Sequence, residues 1–214
     1  MSTADAAAWT IIVPVKGTPG AKSRLGGEPT ERAALASAIA LDTIAAVIST
    51  PGVAVVVVVT GAAESTAFER LGARIVRDDG EGLGAAVGRG IRSVDGSVGD
   101  GSGGGPVGIL LGDLPALAPA ELAAVLERAS EWPRAFVADA DGVGTTLITA
   151  NGVAHEAAFG GASRAAHLAA GYVELDVDDD SGLRRDVDTR GQLLALAHRL
   201  GPHTRAQLRP RPVS

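Results

Sequence analysis

Val55 to Val59 are five consecutive valines inside the run Val53-Ala-Val-Val-Val-Val-Val-Thr60. Their branched side chains are stiff at χ1 and crowd a helix. An apolar run with no polar alternation suits a strand covered on both faces, as in a parallel sheet. Trp9-Thr-Ile-Ile-Val-Pro-Val15 has the same character. Between the two runs lies a helical pattern from Thr30 to about Ser49, opened by Pro29 and Thr30, with Leu41, Ile44 and Ile48 as its inward stripe. Strand, helix and strand in this order form a βαβ unit, whose crossover is nearly always right-handed.

The alternation continues along the chain. Helices are expected at Ala63–Leu71, about Leu83–Val94, Pro119–Ser130, Ser163–Ala170 and Arg190–Leu200. Strands are expected at Arg74–Val76, Val107–Leu111, Arg134–Asp139, Thr145–Ala150 and Tyr172–Val177. This pattern predicts a three-layer α/β/α sandwich, with ligands beyond the carboxyl ends of the strands. At 214 residues a single domain over 1–214 is expected, since a chain of this size fills one core. Six glycines in residues 95–105 predict a flexible loop, and 202–214 is expected to be a mobile tail.

Composition excludes several chemistries. The chain has no cysteine, which removes disulfides, thiolate-bound zinc, iron–sulfur clusters and a thiol nucleophile. His155, His167, His198 and His203 lack paired zinc-site spacing, so any metal is expected on oxygen. A net charge of −6 has the wrong sign for gripping nucleic-acid phosphates. Nothing is apolar for long enough to span a bilayer, and no basic region precedes the run at Trp9, so a cytoplasmic protein is expected.

Four features carry candidate chemistry. The first strand runs into Lys-Gly-Thr-Pro-Gly-Ala-Lys-Ser-Arg24, which holds both lysines of the chain, Lys16 and Lys22, and then Arg24. Such a loop either cradles phosphates with its N–H groups and cations or is simply solvated; its place at a strand's carboxyl end favours the first. It is not a Walker A loop. In Ile109-Leu-Leu-Gly-Asp-Leu-Pro-Ala116 a buried strand delivers Asp113 at its end, to hold a divalent cation or merely to begin a turn with Pro115. Asp186 and Asp188 flank Val187, and an extended segment turns both carboxylates to one side. Either magnesium or the neighbouring Arg184 and Arg185 would relieve their repulsion. Gly142-Val-Gly-Thr-Thr146 and Phe159-Gly-Gly-Ala-Ser163 place small and hydroxyl residues where backbone comes close to something. Ser163 is a candidate cap for the helix that follows, with or without an anion there, and His167 one turn on either faces that anion or packs.

Taken in order, V-P-V-K…A-K-S-R-L, G-D-L-P-A-L, G-T-T, F-G-x-x-S-x-x-x-H and R-x-D-V-D-T make the sequence resemble the CofC/FbiD family over nearly its whole length. That family comprises the guanylyltransferases of coenzyme F-420 biosynthesis. The resemblance implies a GT-A-like nucleotidyltransferase fold with a mostly parallel mixed sheet. It implies GTP and a small phosphorylated carboxylic acid, phosphoenolpyruvate or 2-phospho-L-lactate, as substrates, with release of pyrophosphate. By motif, Asp113, Asp186 and Asp188 would hold Mg²⁺, two ions in all. Thr145, Gly160 and Ser163 would receive the acid, and Lys16, Lys22 and Arg24 the nucleotide phosphates. Gly84 stands where the family pattern leads one to expect Asn. Two rivals are a molybdopterin or sugar-phosphate nucleotidyltransferase, whose usual L-A-G-G-x-S-x-R-M type of loop is not found here, and a nucleotide-sensing module without turnover.

Overall fold

The computed structural model describes residues 8–15, 23–61, 65–95 and 105–208. Seven strands, β1 (Trp9–Val15), β2 (Val53–Thr60), β3 (Arg74–Arg77), β4 (Val107–Leu110), β5 (Arg134–Ala138), β6 (Thr145–Ala150) and β7 (Val173–Glu174), form one sheet in the order β3-β2-β1-β4-β6-β5-β7. Only β6 runs antiparallel to its neighbours β4 and β5; the other pairings are parallel. The helices are α1 (Pro29–Ile48), α2 (Ser65–Leu71), α3 (Leu83–Asp95), α4 (Pro119–Ala129), α5 (Ser163–Ala169), α6 (Arg190–Ala195) and α7 (Pro202–Leu208).

The valine run behaves as its composition demands. Val56 and Val58 pack with Ile44 and Val47 of α1, Phe68 of α2 and Leu122 of α4. Val57 and Val59 point the other way, onto Ala86 and Val87 of α3. One strand therefore serves two cores, and the three-layer sandwich follows from that division. A third apolar cluster joins Leu25, Leu35, Ile39, Ala116, Val187, Leu193 and Leu200, drawing together segments far apart in sequence.

The structure corrects the ends of several elements. The expected strand at Tyr172–Val177 is cut to Val173–Glu174, because this edge strand pairs with β5 alone and Tyr172 is taken by the end of α5, its N–H donating to His167 C=O at 3.0 Å. The helix expected to reach Leu200 stops at Ala195, after which tighter three-residue bonds, such as Leu196 N–H to Leu193 C=O at 3.2 Å, wind the chain down. Residues 96–104 of the expected flexible loop, and Ala63 and Glu64 of the expected second helix, lie outside the described residues.

The segment 202–214 does not start as a tail. Residues 202–208 form α7 against α1, while 209–214 lie outside the described residues. Asp42, buried in α1, accepts the His203 N–H at 3.0 Å on Oδ1 and the Thr204 N–H at 2.7 Å on Oδ2. One carboxylate thus satisfies two N–H groups at the start of α7. Asp42→Ala removes both bonds and should cost about 2 kcal/mol, lowering the melting temperature by about 4–8 °C. Hydrogen exchange at the His203 and Thr204 amides should accelerate well beyond that at α1; equal protection in the variant would show that α7 holds without this cap.

Candidate active site

Parallel pairing sets the carboxyl ends of β1 and β4 side by side, with Ile12 opposite Ile109. The reversed strand β6 brings its first residues to the same edge, where Leu111 N–H donates to Thr146 C=O at 2.9 Å. Val15, Asp113 and Thr145 therefore share one edge of the sheet, although well over a hundred residues of chain separate the first from the last. Gly112 tightens this arrangement, because a Cβ there would lie 2.9 Å from Val15 Cγ2 and 3.1 Å from Pro14 C=O. Lys16 and Lys22 lie outside the described residues. The far end of their loop is anchored by Leu25, fully buried in the cluster with Ala116 and Val187, and Arg24 beside it is exposed.

The segment that carries Asp113 is held from several sides. Leu114 N–H donates to Thr43 Oγ1 at 3.0 Å, and Thr43 itself donates to Ile39 C=O within α1. Gly201 N–H donates to Pro115 C=O at 2.9 Å. Val187 N–H donates to Asp113 C=O at 3.1 Å, so the strand-end aspartate and the Asp186-Val-Asp188 segment are joined through the backbone. Val187 is fully buried, Asp186 half-buried and Asp188 exposed. Just beyond, Thr189 and Gln192 cap α6 reciprocally, Gln192 N–H to Thr189 Oγ1 at 3.2 Å and Thr189 N–H to Gln192 Oε1 at 2.8 Å. The same Oε1 accepts the Asp188 N–H at 2.9 Å. Nearby, Arg184 forms an ion pair with Asp179 at 2.6 Å and donates to the Val177 and Asp139 carbonyls at 3.0 and 3.1 Å.

Among the described residues no group of three or more Asp, Glu or His side chains is gathered so as to hold a metal ion. Mg²⁺ is ordinarily held by one or two carboxylates together with substrate phosphates rather than by an all-protein cage. Oxygen donors on two backbone-linked segments fit that mode.

Gly160 and Ser163 are joined through the backbone, and Thr145 is tied to the same helix through His167. Asp139 shapes the loop before Thr145, accepting the Val143 and Gly144 N–H groups at 3.0 and 2.8 Å. Arg164 N–H reaches Val143 C=O at 3.2 Å, and its guanidinium holds Glu174 at 2.9–3.1 Å, which fastens α5 to this loop. Ser163 is buried, but it is not the helix cap: it stands inside the first turn, Ala162 occupies the cap position, and Ser163 N–H donates to Gly160 C=O at 3.1 Å. The preceding turn, closed through Gly160, takes over the capping geometry. His167, wholly buried, packs among Phe136, Phe159 and Tyr172 and bonds to Thr145. A Cβ on Gly84 would meet nothing within 4 Å, so packing does not require glycine there. Sequence reasoning passed over Thr43 and the carboxylate of Asp139, and considered Arg184 only as a neighbour of Asp186 and Asp188. Thr43 accepts from Leu114 and Arg184 donates to the Val177 and Asp139 carbonyls, partners that no local motif marks, whereas Asp139 accepts N–H groups four and five residues on within its own loop.

Two histidines, His155 half-buried and His167 wholly buried, fasten the segment between β6 and α5. His155 Nε2 lies 3.1 Å from Val107 C=O, and Tyr172 Oη, 3.4 Å from His155 Nδ1, accepts the Glu156 N–H at 2.9 Å. Burial lowers the His155 pKa to about 4, with Arg134 adding to the effect, and burial also lowers that of His167. In the unfolded chain these imidazoles take up protons near pH 6.5. Their contribution to stability is therefore complete above about pH 6.5 and is lost as the pH falls toward 4, by at most roughly 3 kcal/mol for His155. The melting temperature should fall on acidification, and His155→Gln should flatten that fall; parallel curves for parent and variant would remove His155 as a source.

An α/β sandwich with a mostly parallel sheet and polar loops beyond the strand ends is compatible with a nucleotidyltransferase, and the comparisons show that class. Residues 20–205 match the MobA-like NTP transferase domain. The fold is shared with 4-diphosphocytidyl-2C-methyl-D-erythritol synthase, at a TM-score of 0.62 and 10% identity over 89% of this chain and 96% of that one. The chain is 48% identical to a phosphoenolpyruvate guanylyltransferase of Streptomyces coelicolor over 204 residues, covering 92% of this chain and 94% of that one. It is 46% identical to one of Geodermatophilus obscurus, covering 94% of each. The chain belongs to the phosphoenolpyruvate guanylyltransferase family, within the MobA-like NTP transferases, and it is a nucleotidyltransferase enzyme. Among the described residues no helix is long and apolar enough to cross a membrane.

Proposed function

We propose that this enzyme joins GTP to phosphoenolpyruvate, releasing pyrophosphate and leaving a diphospho-guanosine adduct, in coenzyme F-420 biosynthesis. The relatives' names support the substrates, and the resemblance of the sequence motifs supports the pathway. One structural observation supports the site: the Val187 N–H to Asp113 C=O bond, which links the two acidic segments through the backbone.

An oxygen of the acceptor phosphate attacks the α-phosphorus of GTP in line; the new P–O bond forms as the bond to the β-phosphate's bridging oxygen breaks. That nucleophile is already ionised at neutral pH, so no general base is required. The barrier lies in bringing two polyanions together, and the protein lowers it by positioning and charge neutralisation. Lys16, Lys22 and Arg24 take the nucleotide phosphates and screen the departing pyrophosphate. Thr145, Gly160 and Ser163 take the acceptor. Asp113, Asp186 and Asp188 would hold Mg²⁺, two ions that neutralise the attacking and leaving oxygens when bound.

GTP with Mg²⁺ should raise the melting temperature more than ATP, CTP or UTP does, and pyrophosphate should appear only when an acceptor acid is added. Product mass with phosphoenolpyruvate and with 2-phospho-L-lactate identifies the acceptor. Equal shifts from all four nucleotides would overturn the guanine assignment, and turnover with a sugar phosphate alone would overturn the acceptor assignment.

A further inference from the structure

His167 has no role in the chemistry above, yet it is wholly buried between the two stretches assigned to the acceptor. It lies one helical turn after Ser163, on the same face of α5. Its two ring nitrogens have different partners. Ala158 N–H donates to Nε2 at 3.1 Å, and Thr145 Oγ1 lies 3.1 Å from Nδ1. A backbone N–H can only donate, so Nε2 must carry a lone pair and the proton of the neutral ring must be on Nδ1. Nδ1–H then donates to Thr145 Oγ1, and the hydroxyl proton of Thr145 cannot point back at the imidazole. Phe136, Phe159 and Tyr172, with ring centroids 5.9, 5.9 and 5.2 Å from that of His167, hold the ring in this orientation.

We infer that His167 is a positioning residue for the acceptor: by donating from Nδ1 to Thr145 Oγ1 and accepting the Ala158 N–H on Nε2, it makes Thr145 a hydrogen-bond donor toward the site and clamps the loop that carries Gly160. A hydroxyl restricted to donation suits an oxygen that bears no proton, which is the state of an ionised phosphate or carboxylate. The inference rests on the proposed reading of Thr145 as an acceptor-binding residue.

Asparagine and glutamine separate the two functions of the ring. The Asn amide falls near the position of Nδ1 and the Gln amide near that of Nε2. His167→Gln should raise the KM for phosphoenolpyruvate about tenfold, the effect of losing one hydrogen bond to a charged ligand, while the KM for GTP stays within about twofold. His167→Asn should recover most of that loss. Thr145→Val should raise the acceptor KM similarly, and adding His167→Gln to it should produce little further change, as expected of residues acting in series. An unchanged acceptor KM in Thr145→Val would overturn both the reading of Thr145 and this inference. A raised KM in Thr145→Val with none in His167→Gln, or equal rises in the KM for both substrates in His167→Gln, would overturn the inference alone. Should the variants fold poorly, imidazole ¹⁵N spectra of the intact parent decide: a neutral ring protonated on Nδ1 is expected for His167, and a ring protonated on Nε2 would overturn it.

Discussion

Asparagine at position 113 should reduce pyrophosphate release by a thousandfold or more, on the order of 4 kcal/mol of transition-state stabilisation, while the folded protein survives. Asn keeps the shape of Asp and removes one negative charge, so any loss reflects charge rather than packing. The backbone around this residue is fixed by bonds that do not involve its carboxylate: the Asp113 carbonyl accepts from Val187 N–H, and Leu114 N–H donates to Thr43 Oγ1. Thermal melts in chelator should therefore match the parent or lie slightly higher, because Asp186 and Asp188 are carried by the adjoining segment and like charges repel. With Mg²⁺ and GTP the variant should gain much less stability than the parent. Turnover within tenfold of the parent, with an undiminished response to Mg²⁺ and GTP, would remove Asp113 from the proposed metal set.

Gly182→Ala should be the most damaging methyl group that can be added to this site. A Cβ there would lie 2.0 Å from Ala116 C=O, 2.4 Å from its carbonyl carbon and 2.9 Å from Leu117 N. All three are backbone atoms, so no rotamer change relieves the clash, and one segment must move. Neither moves freely: Pro115 C=O is bonded to Gly201 N–H, and Gly182 N–H points to Glu121 Oε1 at 3.4 Å. Overpacking of this kind costs about 3 kcal/mol, which lowers the melting temperature by about 6–12 °C. Activity should fall even at temperatures where the variant is folded, because the displaced segment leads directly to Asp186 and Asp188. Gly191→Ala is the matched control. Its Cβ would meet only Thr189 Oγ1 at 3.9 Å, and an exposed helical position gains from alanine. Equal melting temperatures for the two variants would mean that the chain yields at 182 without cost.

Much of this architecture is legible in the chain itself. The division of Val56 to Val59 between two cores is written in an unbroken β-branched run, and the helix after Pro29 in its starting signals and apolar stripe. These readings succeed because strand and helix periodicity are local properties. The basic loop, Asp113 and the R-x-D-V-D-T segment are also visible as motifs, and Val187, between the two aspartates, is indeed turned into the core. The spacing says nothing, however, about which distant segment Val187 will meet.

Pairings between distant segments were settled only in three dimensions. The sequence determined a strand-and-helix alternation with polar loops after the strands, because side-chain stiffness, hydrophobic period and turn chemistry act over a few residues. Tertiary structure alone decided that Thr145 reaches the edge of Asp113, since that depends on β6 running against its neighbours. It also decided that Asp42, a charged residue within a helix, closes the start of α7 from 161 residues away, and that Ser163 yields the cap position to Ala162. In each case the deciding interaction is a backbone N–H or carbonyl that must find a partner once buried. Every residue carries such groups, so the sequence does not mark which ones will meet.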